Sequence, residues 1–377
     1  MGNSELVGSH IETLKPYVPG KPIEELQREL DVAEPIKLAS NENPLGPSPR
    51  AMEAIRSKIR DLHYYPDGAA HRMVAAVAAF HDVPPQEVIT GNGSNELLTI
   101  AVRTFCDSGH HSAVISEYSF AAYGIISQAH NLEIHRAPIG PGMTFDLEAM
   151  AQAVDETTKM VFVANPNNPT GTYLPAADLR RFLREIPDEV VVIVDEAYHD
   201  YVQAADYESA LEMRGERERL IITRTLSKCY GLAGARAGYA VAPPAMIDRM
   251  YRVREPFNCN TLAQIALPAA LEDRAFVDQS VAVNEEGRRV LESGLEELKP
   301  LGVDWIESET NFLLVKMPVE GKRIYDALLR RGVILRPMGG YGLPNWLRIS
   351  LAEEAKMRRC LRGLQEVLVE FRDEDGR

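Results

Sequence analysis

No apolar run among the 377 residues approaches the ~18–20 needed to cross a bilayer, which excludes a helical membrane span. Cysteine is scarce too. Cys106, Cys229, Cys259 and Cys360 lie far apart, with neither metal-ligand nor redox spacing, which excludes a disulfide scaffold and fits a reducing cytosol. Met1–His10 lack the basic and apolar segments of a secretory signal. Gly2 loosely fits an acylation pattern, but Leu6 stands where Ser or Thr is required. Basic side chains are in deficit, 41 against 55 acidic ones, and the formal charge of −14 repels nucleic acid and anionic membranes. Internal repeats and low-complexity tracts are absent, so solenoids and disordered chains are excluded. What remains is an ordinary globular composition, 45% hydrophobic and 25% charged, long enough for about two domains.

Short β-rich runs alternate with helical spacing through the middle of the chain. Strands are expected at 88–90, 113–116, 132–135, 159–164, 190–195, 219–223 and 238–241, with helices at 96–105, 120–128, 147–153 and 176–185. This alternation predicts an α/β architecture with a largely parallel sheet, and the unbroken apolar run Val190–Val194 predicts a strand buried on both faces. After Pro256 the pattern changes to a long helix (275–298), shorter strands (312–316, 333–335, 347–351) and a terminal helix (353–371), which predicts a smaller α+β domain.

Four segments carry chemistry. In Thr223-Arg224-Thr225-Leu226-Ser227-Lys228, running into Gly231–Gly238 with Arg236, a lysine follows a strand end near hydroxyls and a fixed cation. Such a lysine can have a depressed pKa and form a Schiff base with an aldehyde cofactor, whose phosphate the hydroxyls and Arg236 would hold. Alone, it reads first as a solvated loop lysine. Val190–Val194 leads into Asp195-Glu196-Ala197-Tyr198, a carboxylate at a strand's C-terminal end, where open α/β sheets bind ligands. A protonated pyridine nitrogen is one partner for it; a metal or a helix cap are others. Asn165–Gly171 is a rigid Pro-rich turn able to aim an amide, or a turn and nothing more. Thr90–Leu97 runs from a strand through glycines into a helix, a phosphate-cradle pattern.

Together, in this order and with Lys228 33 positions after Asp195, these segments resemble the fold-type I pyridoxal-phosphate aminotransferases, and within them the histidinol-phosphate aminotransferase group, from about Pro16 to Leu368. The resemblance implies pyridoxal 5′-phosphate as cofactor. It implies Lys228 as the Schiff-base lysine and proton shuttle, and Asp195 as partner of the pyridinium nitrogen. Tyr198 and Asn168 would bond the ring's phenolic oxygen. Gly93, Ser94, Asn95, Thr225, Ser227 and Arg236 would take the phosphate, and Tyr65 would reach it across a homodimer interface. Phe120 aligns with the stacking aromatic, with Tyr118 as the alternative. Arg348, in Trp346–Ser350, would grip a substrate carboxylate. Tyr17, Arg336, Asn43 and Asn311 would complete the substrate site. The implied organisation is an N-terminal arm over 1–45, packing with the small domain or a partner subunit. A large cofactor-binding domain follows over 46–256, then a small C-terminal domain over 257–377.

The implied reaction is transfer between L-histidinol phosphate and 2-oxoglutarate, in the cytoplasm. An aromatic amino-acid aminotransferase is the alternative and a threonine-phosphate decarboxylase-like enzyme a more distant one. No metal is expected, since His110 and His111 are adjacent, point apart on an extended chain and lack a third ligand. A non-catalytic ligand sensor on this fold would carry a basic DNA-binding region, which the acidic chain does not offer.

Overall fold

The computed structural model describes residues 6–30, 32 and 34–375, so the Gly2 pattern lies outside the described residues. Among the described residues thirteen strands form three sheets: β1 Ile36–Lys37, β2 Val88–Asn92, β3 Ser112–Ser116, β4 Glu133–Ala137, β5 Thr158–Ala164, β6 Val191–Asp195, β7 Leu220–Thr225, β8 Ala237–Val241, β9 Asp304–Ile306, β10 Phe312–Lys316, β11 Val333–Ile334, β12 Arg336–Pro337 and β13 Trp346–Ser350. The seven-stranded sheet runs in the order β2-β8-β7-β6-β5-β3-β4. It is parallel except for β8, which is antiparallel to β2 and β7. Every residue of β6 is buried, because helices cover both faces of the sheet. The expected strands and helices of this region fall within a few residues of the observed ones.

A four-stranded antiparallel sheet, β12-β13-β10-β9, belongs to a second apolar cluster with the helices Arg274–Leu298 and Glu354–Asp375. The strand expected at 333–335 is β11, and β12 follows it as a separate strand that the local pattern does not mark. β11 pairs in parallel with β1 near the N-terminus, whereas β12 pairs with β13. The N-terminal segment thus joins both bodies. Ile36 and Leu38 enter the small cluster, while Ser48 donates to Asp273 Oδ2 at 2.7 Å and caps the helix Pro49–Lys58. The large cluster does not stop at residue 256. It continues through Cys259 and the helix Thr261–Leu271 to Val277, because that helix packs against the helices Pro49–Lys58 and His71–His81. Among the described residues no helix is long and apolar enough to cross a membrane.

Candidate active site

The C-terminal ends of β5, β6 and β7, the start of the helix Ser94–Phe105 and the inner end of β13 converge on a cavity of about 510 Å³. Parallel strands direct their C-terminal ends to one edge, so residues far apart in sequence meet there.

Asp195 and Glu196 are consecutive buried carboxylates with different partners. Glu196 pairs with Arg224 at 2.8 Å. Asp195 receives only neutral donors, Tyr123 Oη at 2.9 Å and Thr223 Oγ1 at 3.0 Å. Burial raises its pKa, and the Tyr123 and Thr223 donors oppose that shift. Asp195 is therefore the carboxylate that faces the cavity without a fixed cation.

Lys228 lines the same cavity, and its Nζ donates to the Ser40 carbonyl at 3.3 Å. Burial, followed by the Arg348 charge, pushes its pKa down to about 8. A sizeable neutral fraction near pH 7 makes the amine a usable nucleophile.

The phosphate-cradle expectation has a clear local form. Gly93 takes φ +80°, and a Cβ there would run into the Arg236 guanidinium. Ser94 and Asn95 open the following helix toward the cavity, presenting backbone N–H groups at its positive end. Arg236 bonds Ser227 Oγ at 3.3 Å, the Ala233 carbonyl at 3.1 Å and the Asn92 carbonyl at 3.3 Å. No carboxylate pairs with it among the described residues, so its charge is available to an anion. Thr225 Oγ1 donates to Ser227 Oγ at 2.9 Å in the same corner.

On the opposite wall Arg348 is buried, bonded to Asn168 Oδ1 at 2.6 Å and to the Ala39 carbonyl at 2.9 Å. Its Nε has no partner among the described residues. A buried guanidinium with a free N–H and no carboxylate partner is suited to bind one. Tyr198 and Phe120 also line the cavity. Tyr118 does not: it takes φ +49°, and its ring packs with Met338 and Leu343, so of the two stacking candidates Phe120 is the one on the cavity wall.

Three expected substrate contacts lie elsewhere. Asn43 spends its amide on the Cys229 carbonyl at 2.7 Å and Ser280 Oγ at 2.8 Å, tying the N-terminal segment to the lysine loop from outside the cavity. Asn311 is behind the wall and donates to the Asn41 carbonyl at 3.0 Å. Arg336 stands at the rim, bonded to the Val18 carbonyl at 2.6 Å, with its guanidinium 5.4 Å from the centre of the Tyr17 ring; Tyr17 itself lines the cavity. Tyr65 is remote from the cavity, 83% exposed and stacked on Phe257 at 4.9 Å. Ser40, Asn41 and Tyr123 are cavity residues that the motifs did not single out. Asn41 lies two positions before Asn43, the amide that the motif singles out, in Asn41-Glu42-Asn43. His111 Nδ1 accepts the Asp107 N–H at 2.8 Å and closes a turn, and no three metal-ligating side chains cluster among the described residues.

Residues 33–364 match the family described as aminotransferase class I and II. The chain belongs to that family. This aminotransferase is 45% identical to histidinol-phosphate aminotransferase 2 of Methylococcus capsulatus over 95% of its own length and 97% of the relative's. It is also 45% identical to the histidinol-phosphate aminotransferase of an Anaeromyxobacter species, over 96% and 99% of the two chains. Among solved structures, the Sinorhizobium meliloti histidinol-phosphate aminotransferase in complex with pyridoxal-5′-phosphate superposes with a TM-score of 0.87, at 26% identity over 97% of this aminotransferase and 98% of that chain.

Proposed function

We propose that this aminotransferase exchanges an amino group between L-histidinol phosphate and 2-oxoglutarate, using pyridoxal 5′-phosphate. One observation carries the reading: the depressed Lys228 amine, the cation-free Asp195 carboxylate and the unpaired Arg236 cradle line a single cavity. An aldehyde, a ring nitrogen and a phosphate are what these groups would hold, at Lys228, Asp195 and at Gly93–Asn95 with Thr225, Ser227 and Arg236. Bound there, the cofactor would supply an electron-withdrawing ring that acidifies the substrate's α-C–H. Lys228 Nζ would then take and return that proton, the negative charge of the Asp195 carboxylate, little screened in its buried setting, would favour a protonated ring nitrogen, and Phe120 would cover the ring face. Arg348 grips the carboxylate of glutamate or 2-oxoglutarate, with Asn168 holding its fork in plane. For the phosphorylated amine, which lacks an α-carboxylate, Arg348 turns to the phosphate together with Arg336 and Tyr17 at the rim.

The test is spectroscopic and then kinetic. Added pyridoxal phosphate should give a visible absorbance band that Lys228→Ala lacks. In a coupled assay with 2-oxoglutarate, kcat/KM should be higher for histidinol phosphate than for phenylalanine or tyrosine. The reverse order would assign an aromatic substrate instead.

We also infer a homodimer, supported by the exposed patch Ile59, Leu62, Tyr64, Tyr65 and Phe257, apolar surface that a second copy would cover. Sedimentation should give a dimer, and a monomer at working concentration would remove the role of Tyr65. Four unpaired cysteines support a cytoplasmic location.

A further inference from the structure

Asn41 lines the cavity, is 1% exposed and takes φ +55°, a left-handed conformation that asparagine tolerates better than most residues. Its surroundings fix it on three sides. The backbone N–H donates to Ser350 Oγ at 2.9 Å, the Ser350 hydroxyl donates to Asn41 Oδ1 at 2.9 Å, and Asn311 Nδ2 donates to the Asn41 carbonyl at 3.0 Å. With Oδ1 engaged as an acceptor, the amide has one orientation left. Its Nδ2 donates to the Tyr198 hydroxyl oxygen at 2.9 Å, and that oxygen has no other hydrogen-bond partner among the described residues.

A phenol oxygen that accepts from one side must send its own hydrogen to another. Tyr198 remains a donor because burial raises its pKa to about 12. It lines the cavity, so the open direction for its O–H is inward.

We propose that Asn41 is a positioning residue that turns the Tyr198 O–H into the cavity, toward the phenolic oxygen of the bound cofactor ring. This rests on the cofactor reading given above. Ser350, which orients the amide, follows Arg348 by two residues on β13, so both side chains point to the same face of that strand. The strand that carries the substrate arginine therefore also sets the donor of Tyr198.

A hydrogen bond donated to the ring oxygen favours its anionic form and lowers the pH at which the visible band of the loaded, substrate-free enzyme changes. Asn41→Asp keeps the size, the tolerated backbone and the oxygen that faces Ser350. It offers Tyr198 an acceptor in place of the amide donor, which draws the O–H out of the cavity. The expected result is a rise in the pH midpoint of the band by about one unit, comparable with that of Tyr198→Phe. The Asn41→Asp/Tyr198→Phe double variant should lie no higher than Tyr198→Phe alone. The uncharged Asn41→Gly, permitted at this φ, should shift the midpoint the same way by less, and it carries the test if the aspartate variant fails to fold. Unchanged midpoints in both Asn41 variants, or a double variant equal to the sum of the single ones, would overturn the assignment. A wild-type protein that shows no band strikes the cofactor reading itself and takes this inference with it.

Discussion

Lys228 is useful to the site and costly to the fold. Its pKa is held near 8 against an ordinary 10.5, so at pH 7 the folded chain carries a buried ammonium that the unfolded chain solvates freely. Lys228→Met is expected to stabilise the cofactor-free protein by about 2–3 kcal/mol at pH 7 while abolishing turnover. The advantage should shrink as pH rises from about 8 toward 10.5, where the unfolded chain binds more protons than the folded one and wild type gains. Thermal melts of both proteins across that window check it, and a lower Tm for the variant at pH 7 would contradict it. Lys228, Asp195, Arg236 and Arg348 were legible in sequence because each is a charge where the local pattern implies burial. Asn41 was not. Asn41-Glu42-Asn43 offers two candidate amides, and the one that turns inward is decided by a positive φ held by Ser350, 309 positions away. Tyr123 was missed for a similar reason: on the helix Ala121–Ala129 it reads as a core residue, and only the fold brings Asp195 within 2.9 Å of its hydroxyl.

At the scale of elements, strand edges were readable where neighbours in the sheet share one environment, as for β6, buried throughout. They failed where one run serves two partners. The residues from Val333 to Pro337 pair first with β1 and then with β13, and nothing local marks the change. The extent of the large cluster is not set locally either, since the helix Thr261–Leu271 joins it through what it packs on rather than through its own composition. One side chain holds an element end almost alone. The buried Arg217 guanidinium donates to the carbonyls of Leu183, Ile186, Pro187 and Val190 at 2.6–2.9 Å, stitching the end of the helix Ala176–Glu185 to the entry of β6. Arg217→Met removes the guanidinium donor from the buried Leu183, Ile186 and Val190 carbonyls, while the Pro187 carbonyl keeps the Val190 N–H at 3.1 Å. The expected cost is about 2–4 kcal/mol in urea unfolding, without a change in the visible band of the loaded enzyme.

For the whole molecule, the charge of −14 describes the outer surface, while the cations that matter are kept inside. Acid sensitivity has an identifiable source within the large body. His81 Nε2 lies 2.7 Å from the Tyr239 hydroxyl, which burial keeps protonated, so the imidazole accepts and stays neutral. Burial, then the Arg224 charge, pushes the His81 pKa down to about 3 from an ordinary 6.5. Between those values the unfolded chain takes up a proton that the folded chain refuses, and stability falls as pH drops, by up to about 1.4 kcal/mol per unit. His81→Gln should flatten that part of the profile, and an unchanged slope of Tm against pH from 6 to 4 would exclude His81 as its source. The pairing of β1 with β11 bears on how the molecule is made. A ribosome has released residues 36 and 37 long before their partners, 333 and 334, have been polymerised, and Asn41 waits longer still for Ser350. Synthesis therefore produces a large body whose leading strand lacks its sheet partner until about the final eighth of the chain emerges. Nascent chains arrested before residue 330 should expose that segment to protease, whereas the completed chain shields it.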